Sequence, residues 1–112
     1  MQDSLFKVRY RTDLYEWGKG WLSMESKNRW DKWLDDFVDY GWSVIKPKSS
    51  WDCYRIASVY SLVYLHPMSG LVTLENEKEV ERLRVLLTNL CAAAGGTLKH
   101  YDAQEVKYEL EV

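Results

Sequence analysis

The sequence predicts an α+β fold: a two-layer sandwich with two helices packed on one face of a mainly antiparallel sheet, a ferredoxin-like βαββαβ core with additional strands. Three observations lead there. Two stretches carry apolar residues at helical spacing, and strands lie before, between and after them. The remaining apolar residues fall in short runs of period two. The first and last of those runs have outward residues of complementary charge, as antiparallel neighbours in a ferredoxin-like sheet would.

Residues 5–12 alternate, with Phe6, Val8 and Tyr10 on one side and Lys7, Arg9 and Arg11 on the other, the signature of a half-buried strand. Gly18, Lys19 and Gly20 form a turn between Leu14–Trp17 and Trp21–Met24, so this segment is a short hairpin or an ordered aromatic loop. Over residues 27–40, Trp30, Trp33, Leu34, Phe37 and Val38 recur at the spacing of one buried helical stripe. Ser26 is the expected N-cap and Gly41 the expected stop. Residues 42–46 begin a strand that Pro47 ends.

Residues 52–65 are the longest β-rich run and are apolar at both parities, which predicts a central strand covered on both sides. Residues 66–70 form a turn and 71–75 return as a partner strand. Residues 77–94 form a second helix, capped by Asn76 with Glu79 at capping-box spacing, buried through Val80, Leu83, Leu87, Leu90, Cys91 and Ala94, and stopped at Gly95-Gly96. A short strand over 97–101, a turn at Asp102-Ala103 and a last strand over 104–112 complete the order. The outward residues of that last strand, Glu105, Lys107, Glu109 and Glu111, would face Lys7, Arg9 and Arg11.

Residues 1–112 read as one domain, a length at which a single core buries about two-thirds of the unfolded surface without a disulfide or metal. A net charge of −2 argues against a basic nucleic-acid binder. Cys53 and Cys91 stand far apart, which fits two free thiols in a reducing compartment. The polar start of the chain lacks the pattern of a signal peptide, and no apolar run approaches a membrane span. A cytoplasmic protein without membrane contact is the expectation.

All six tryptophans lie between Trp17 and Trp51. Trp30, Trp33, Trp42 and Trp51 occupy core-facing or strand positions. Trp17 and Trp21 flank the glycine turn and join no evident buried stripe. They are candidates for a partner-binding surface, since tryptophan is enriched in binding hot spots, or for stacking on a sugar or a base in a small-ligand or carbohydrate-binding module, or they close as a lid on the core. The first helix is acidic where its dipole favours cations: Asp31, Asp35, Asp36 and Asp39 follow Lys27, Arg29 and Lys32. Those aspartates either meet a basic partner or form a solvated face bridged by Lys32. In the first case the protein could act as an inhibitor that occludes a nucleic-acid-binding groove on its target.

Cys53, Cys91, His66 and His100 stand in no motif that pairs a thiol with a base, which leaves a Cys–His contact to the fold, and no zinc or calcium spacing and no phosphate loop is present in the sequence. Lys7, Arg9 and Arg11 point away from Tyr10, whereas a sheet that reads single-stranded nucleic acid needs aromatic and basic residues on one face. The expectation is therefore a non-enzymatic domain without cofactor or metal, binding no nucleic acid directly. Its partner is another protein, bound through Trp17, Trp21, Asp31, Asp35, Asp36 and Asp39, or a second copy bound through the apolar sheet face.

Overall fold

The computed structural model describes residues 3–38, 41–49, 52–57 and 62–108. Among the described residues, eight strands and two helices follow in the order β1 (Asp3–Thr12), β2 (Tyr15–Glu16), β3 (Gly20–Trp21), α1 (Met24–Val38), β4 (Ser43–Ile45), β5 (Tyr54–Ala57), β6 (Leu62–Leu65), β7 (Leu71–Leu74), α2 (Glu77–Ala93) and β8 (Leu98–Tyr108). The result is the predicted α+β sandwich, two helices on an antiparallel sheet, consistent with a ferredoxin-like core plus extra strands.

β1 is the central strand of the order β7-β1-β8 and is antiparallel to both neighbours. β7 and β8 therefore run parallel to each other, joined by α2 with β1 between them, which is a split βαβ unit. A second group, in the order β4-β5-β6, is likewise antiparallel. The turn from His66 to Gly70 links the two groups: the Gly70 N–H donates to the His66 carbonyl at 2.8 Å and the Tyr10 N–H to the Gly70 carbonyl at 2.9 Å.

Period two decides what β1 buries. Val8, Tyr10 and Thr12 face the helices and are buried, while Lys7, Arg9 and Arg11 are exposed. Val72 and Leu74 of β7 continue the buried side. α2 lays Leu83, Leu86, Leu87, Leu90 and Cys91 against it. The Asn76 side chain accepts from the Glu79 N–H at 3.0 Å, as its spacing predicts, and the Gly96 N–H donates back to the Cys91 carbonyl at 2.8 Å to end the helix.

The structure corrects four expectations. α1 begins at Met24, three residues before the expected start at residue 27, because Ser23 rather than Ser26 is the cap: the Ser23 hydroxyl accepts from the Ser26 N–H at 3.1 Å. The helix stops as expected, with the Gly41 N–H on the Val38 carbonyl at 3.1 Å and the Trp42 N–H on the Phe37 carbonyl at 3.1 Å. Val38 itself is exposed, at the edge of a stripe formed by buried Trp30 and Leu34 and half-buried Trp33 and Phe37.

Second, the run over 52–65 is not one strand. β5 and β6 pair antiparallel with Ile56 opposite Val63 and Ala57 opposite Leu62. That register sets even-numbered residues opposite odd-numbered ones, so Tyr54 and Ile56 share the buried face with Val63 and Leu65. A sequence apolar at both parities is thus a one-sided hairpin. Residues 58–61, which join the two strands, lie outside the described residues.

Third, no turn interrupts the last strand. β8 continues through Asp102 and Ala103, which stand opposite Arg9 and Val8 on the long β1 template. Fourth, that register places Gln104, Asp102 and His100 opposite Lys7, Arg9 and Arg11, while Glu105 stands opposite Phe6 on the helix side. The expected match with Glu105 is therefore absent; Asp102 is the acidic residue opposite the basic strand, and among the described residues no ion pair joins β1 to β8. Glu109 and Glu111 lie outside the described residues, as do Trp51 and Tyr60.

One contiguous core runs under both strand groups. Trp30, Leu34, Tyr54, Ile56 and Leu65 at one end join Val8, Tyr10, Val72, Leu83, Leu87 and Leu90 at the other. Each such side chain contributes on the order of 1.5–3 kcal/mol by leaving water.

Candidate binding surface

The hairpin of β2 and β3 decides the fate of the first two tryptophans. Tyr15 and Trp21 stand opposite each other in it. Trp21 lies edge-to-face on Tyr15 at 5.0 Å, on Trp30 at 5.3 Å and on Tyr54 at 6.5 Å between ring centroids. This side chain is therefore the half-buried lid of an aromatic cluster. Its remaining edge borders a cleft of about 390 Å³ that also touches Met24, Pro47 and Pro67. Trp17 is half-buried as well. Its indole passes so close to Gly70 that a Cβ at that position would come within 2.6 Å of the ring. The Arg11 guanidinium lies over the indole at 4.9 Å from its centroid.

The aspartates of α1 divide in the same manner. Asp31 accepts the Tyr54 hydroxyl at 2.7 Å and pairs with Lys27 at 2.7 Å. Burial, and secondarily the Asp31 carboxylate, push the Tyr54 phenol well above its ordinary range, so it stays a donor. Asp35 pairs with Lys46, just beyond β4, at 2.8 Å. The bridge that Lys32 was expected to supply is thus made from β4's end. Asp36 is exposed, and Asp39 lies outside the described residues. The acidic end of α1 is in large part tied to its own fold.

The open surface lies elsewhere. Both helices cover one side of the sheet, and the other side is uncovered among the described residues. On β4, β5 and β6 that side presents Ile45, Arg55, Leu62 and Tyr64. Ile45, Leu62 and Tyr64 are 50%, 49% and 42% exposed. A cleft of about 300 Å³, lined by Tyr64, His66, Leu71 and Thr73, carries the surface across to β7. Beyond it β1 adds Lys7, Arg9 and Arg11, and β8 adds His100, Asp102 and Gln104. One face therefore passes from apolar to basic. The sequence marked an apolar sheet face and, separately, an outward basic strand. It concealed which apolar residues, because the parity of β6 depends on the hairpin.

The thiols offer little chemistry. Cys53 and Cys91 are free and buried, and burial pushes the Cys91 thiol up, away from the reactive thiolate. Among the described residues no three His, Cys, Asp or Glu side chains converge as metal ligands, and no helix is long and apolar enough to cross a membrane. No protein-family model, curated protein or solved structure matches the chain.

Proposed function

We propose that the protein is a non-catalytic binding module that takes up another protein on the open face of its sheet. The observation that carries this reading is the patch of Ile45 on β4 and Leu62 and Tyr64 on β6, three large side chains about half exposed on either side of β5. A folded monomer gains nothing by leaving them in water, and contiguous apolar surface of this kind marks interaction sites. Arg55, between Ile45 and Tyr64 in register, supplies the residue type that joins aromatics in binding hot spots. Trp17, Trp21, Asp31 and Asp35 support the surface from within the fold more than they form it.

A photo-crosslinking residue placed at Tyr64, and separately at Asp36 on α1 and at Glu81 on α2, tests the reading in the native host. The Tyr64 position should give a discrete protein adduct that Leu62→Asp removes, with the other two positions silent. An adduct with a second copy makes the partner the protein itself. Adducts at Asp36 alone return the interface to the acidic end of α1 and sink the sheet-face assignment.

A further inference from the structure

We propose that a cleft of about 530 Å³ between β1, the β2–β3 hairpin and β8 is a binding site for a small molecule carrying a multiply charged phosphate group. It is lined by Arg9, Arg11, Trp17, Lys99 and His100. β1 and β8 place three permanent cations and an imidazole around one space beside the Trp17 indole of the hairpin, in a chain whose net charge is −2. Among the described residues no carboxylate lines it. Asp102 stands opposite Arg9 in the register of β1 and β8. Asp13, whose field reaches Lys99, is occupied by the Thr97 N–H at 2.8 Å.

Two features position Arg11, Lys99 and His100 at the cleft. The first is the stack of Arg11 on Trp17 at 4.9 Å. The indole beneath is fixed by its contact with Gly70 and by the Gly18 N–H on the Met68 carbonyl at 2.9 Å. A guanidinium ordered in advance loses less freedom when it grips an anion, and its planar fork suits phosphate oxygens. The second is the irregularity in the β1–β8 ladder, where Arg11 pairs with His100 and Thr12 with Leu98. Consecutive residues of a regular strand point to opposite faces. The extra residue is Lys99, and the bulge lets Lys99 and His100 line the same cleft.

The ligand class follows from the charge and from the state of the indole. A single carboxylate would leave most of this positive charge unmatched, whereas a phosphate carrying two or more charges answers it. Single-stranded nucleic acid needs a ring face on which a base can stack. Trp17 already holds Arg11 on its ring and is closely approached by Gly70. The phosphate, not a base, is what this cleft is shaped to hold.

The probe is inorganic pyrophosphate, titrated into the full chain by calorimetry and by amide chemical shifts at constant ionic strength, with acetate in a parallel arm. Saturable binding at one site is expected, with the largest shifts at Arg9, Arg11, Lys99 and His100 and none from acetate. Arg9→Ala and Arg11→Ala should each weaken it by about tenfold or more, the loss of a charge-assisted phosphate contact. Arg11→Lys, which keeps the charge without the fork, should also weaken it, and Lys78→Ala on α2 should not. Arg9 is exposed and outside the aromatic stack, so its variant keeps the test valid even if Arg11→Ala loosens the hairpin. Absent pyrophosphate binding, or binding indifferent to Arg9→Ala, overturns the proposal. Tight binding of a single-stranded oligonucleotide of about ten nucleotides, with pyrophosphate inert, also overturns it, in favour of a nucleic-acid surface.

Discussion

At the residue scale, Gly70 joins β1, the turn from His66 and the Trp17 indole at one point. Its φ is +61°, and a Cβ there would stand 2.5 Å from the Tyr10 carbonyl oxygen and 2.6 Å from the Trp17 ring. Two costs therefore combine on Gly70→Ala: the left-handed backbone, roughly 1–2 kcal/mol for an L-residue, and the clash. Gly18 supplies the comparison, since its φ is +84° and a Cβ there would meet nothing within 4 Å. Urea unfolding should show Gly70→Ala losing more than about 2 kcal/mol and Gly18→Ala only the backbone part, about 1–2 kcal/mol. Equal losses would mean that Trp17 can leave Gly70 freely, and the ordered stack under Arg11 would go with it. None of this was legible in the sequence. Gly70 reads as one member of a turn, and its partners Tyr10 and Trp17 lie more than fifty residues away along the chain. Position-specific contacts across such a separation leave no periodic trace.

At the scale of elements, the sequence served well wherever one surface alone decided the outcome. The alternation of Val8 and Tyr10 with Arg9 and Arg11, and the stripe from Leu83 to Ala94, need only a core on one side and water on the other. It misled where pairing partners decide. β8 crosses Asp102-Ala103 because β1 offers an unbroken template, and the β5–β6 hairpin reverses a parity that the sequence continues straight through. The start of α1 was ambiguous for a local reason: Ser23 and Ser26 are both good caps, three residues apart, and their hydroxyls lie 3.0 Å from each other. The structure separates their roles, since Ser23 accepts the Ser26 N–H. Ser23→Ala should therefore destabilise the protein by about 1 kcal/mol. Ser26→Ala, one turn inside and with a helix-favouring residue gained, should cost less or nothing. Thermal melts of the two single variants decide it, and the reverse order would restore Ser26 as the cap and shorten α1.

At the scale of the whole molecule, the candidate surface exists because both helices were committed to one side. The aromatic-rich segment went largely inward: Tyr15, Trp21, Trp30 and Tyr54 form one edge-to-face cluster. The outer face of the sheet was left to Ile45, Leu62 and Tyr64 and to the basic strand. That division requires the two strand groups to behave as one body, since a face split between independently opening halves would present no fixed surface. Two buried thiols report on this from opposite halves: Cys53, directly before β5, and Cys91, on α2 under β1. Cys91 belongs to a core contiguous from Trp30 and Tyr54 through Tyr10 to Leu87 and Leu90, and Cys53 is buried beside Tyr54 at its border, so if the two halves open together both thiols meet reagent together. Alkylation by iodoacetamide, followed by mass spectrometry of the two cysteine peptides, should give rates for Cys53 and Cys91 within a factor of about three, rising with urea at one common slope. A Cys53 rate about tenfold faster in the absence of urea, with a shallower slope, would show β4, β5 and β6 opening alone. The patch of Ile45, Leu62 and Tyr64 would then belong to a labile flap and not to a standing interface.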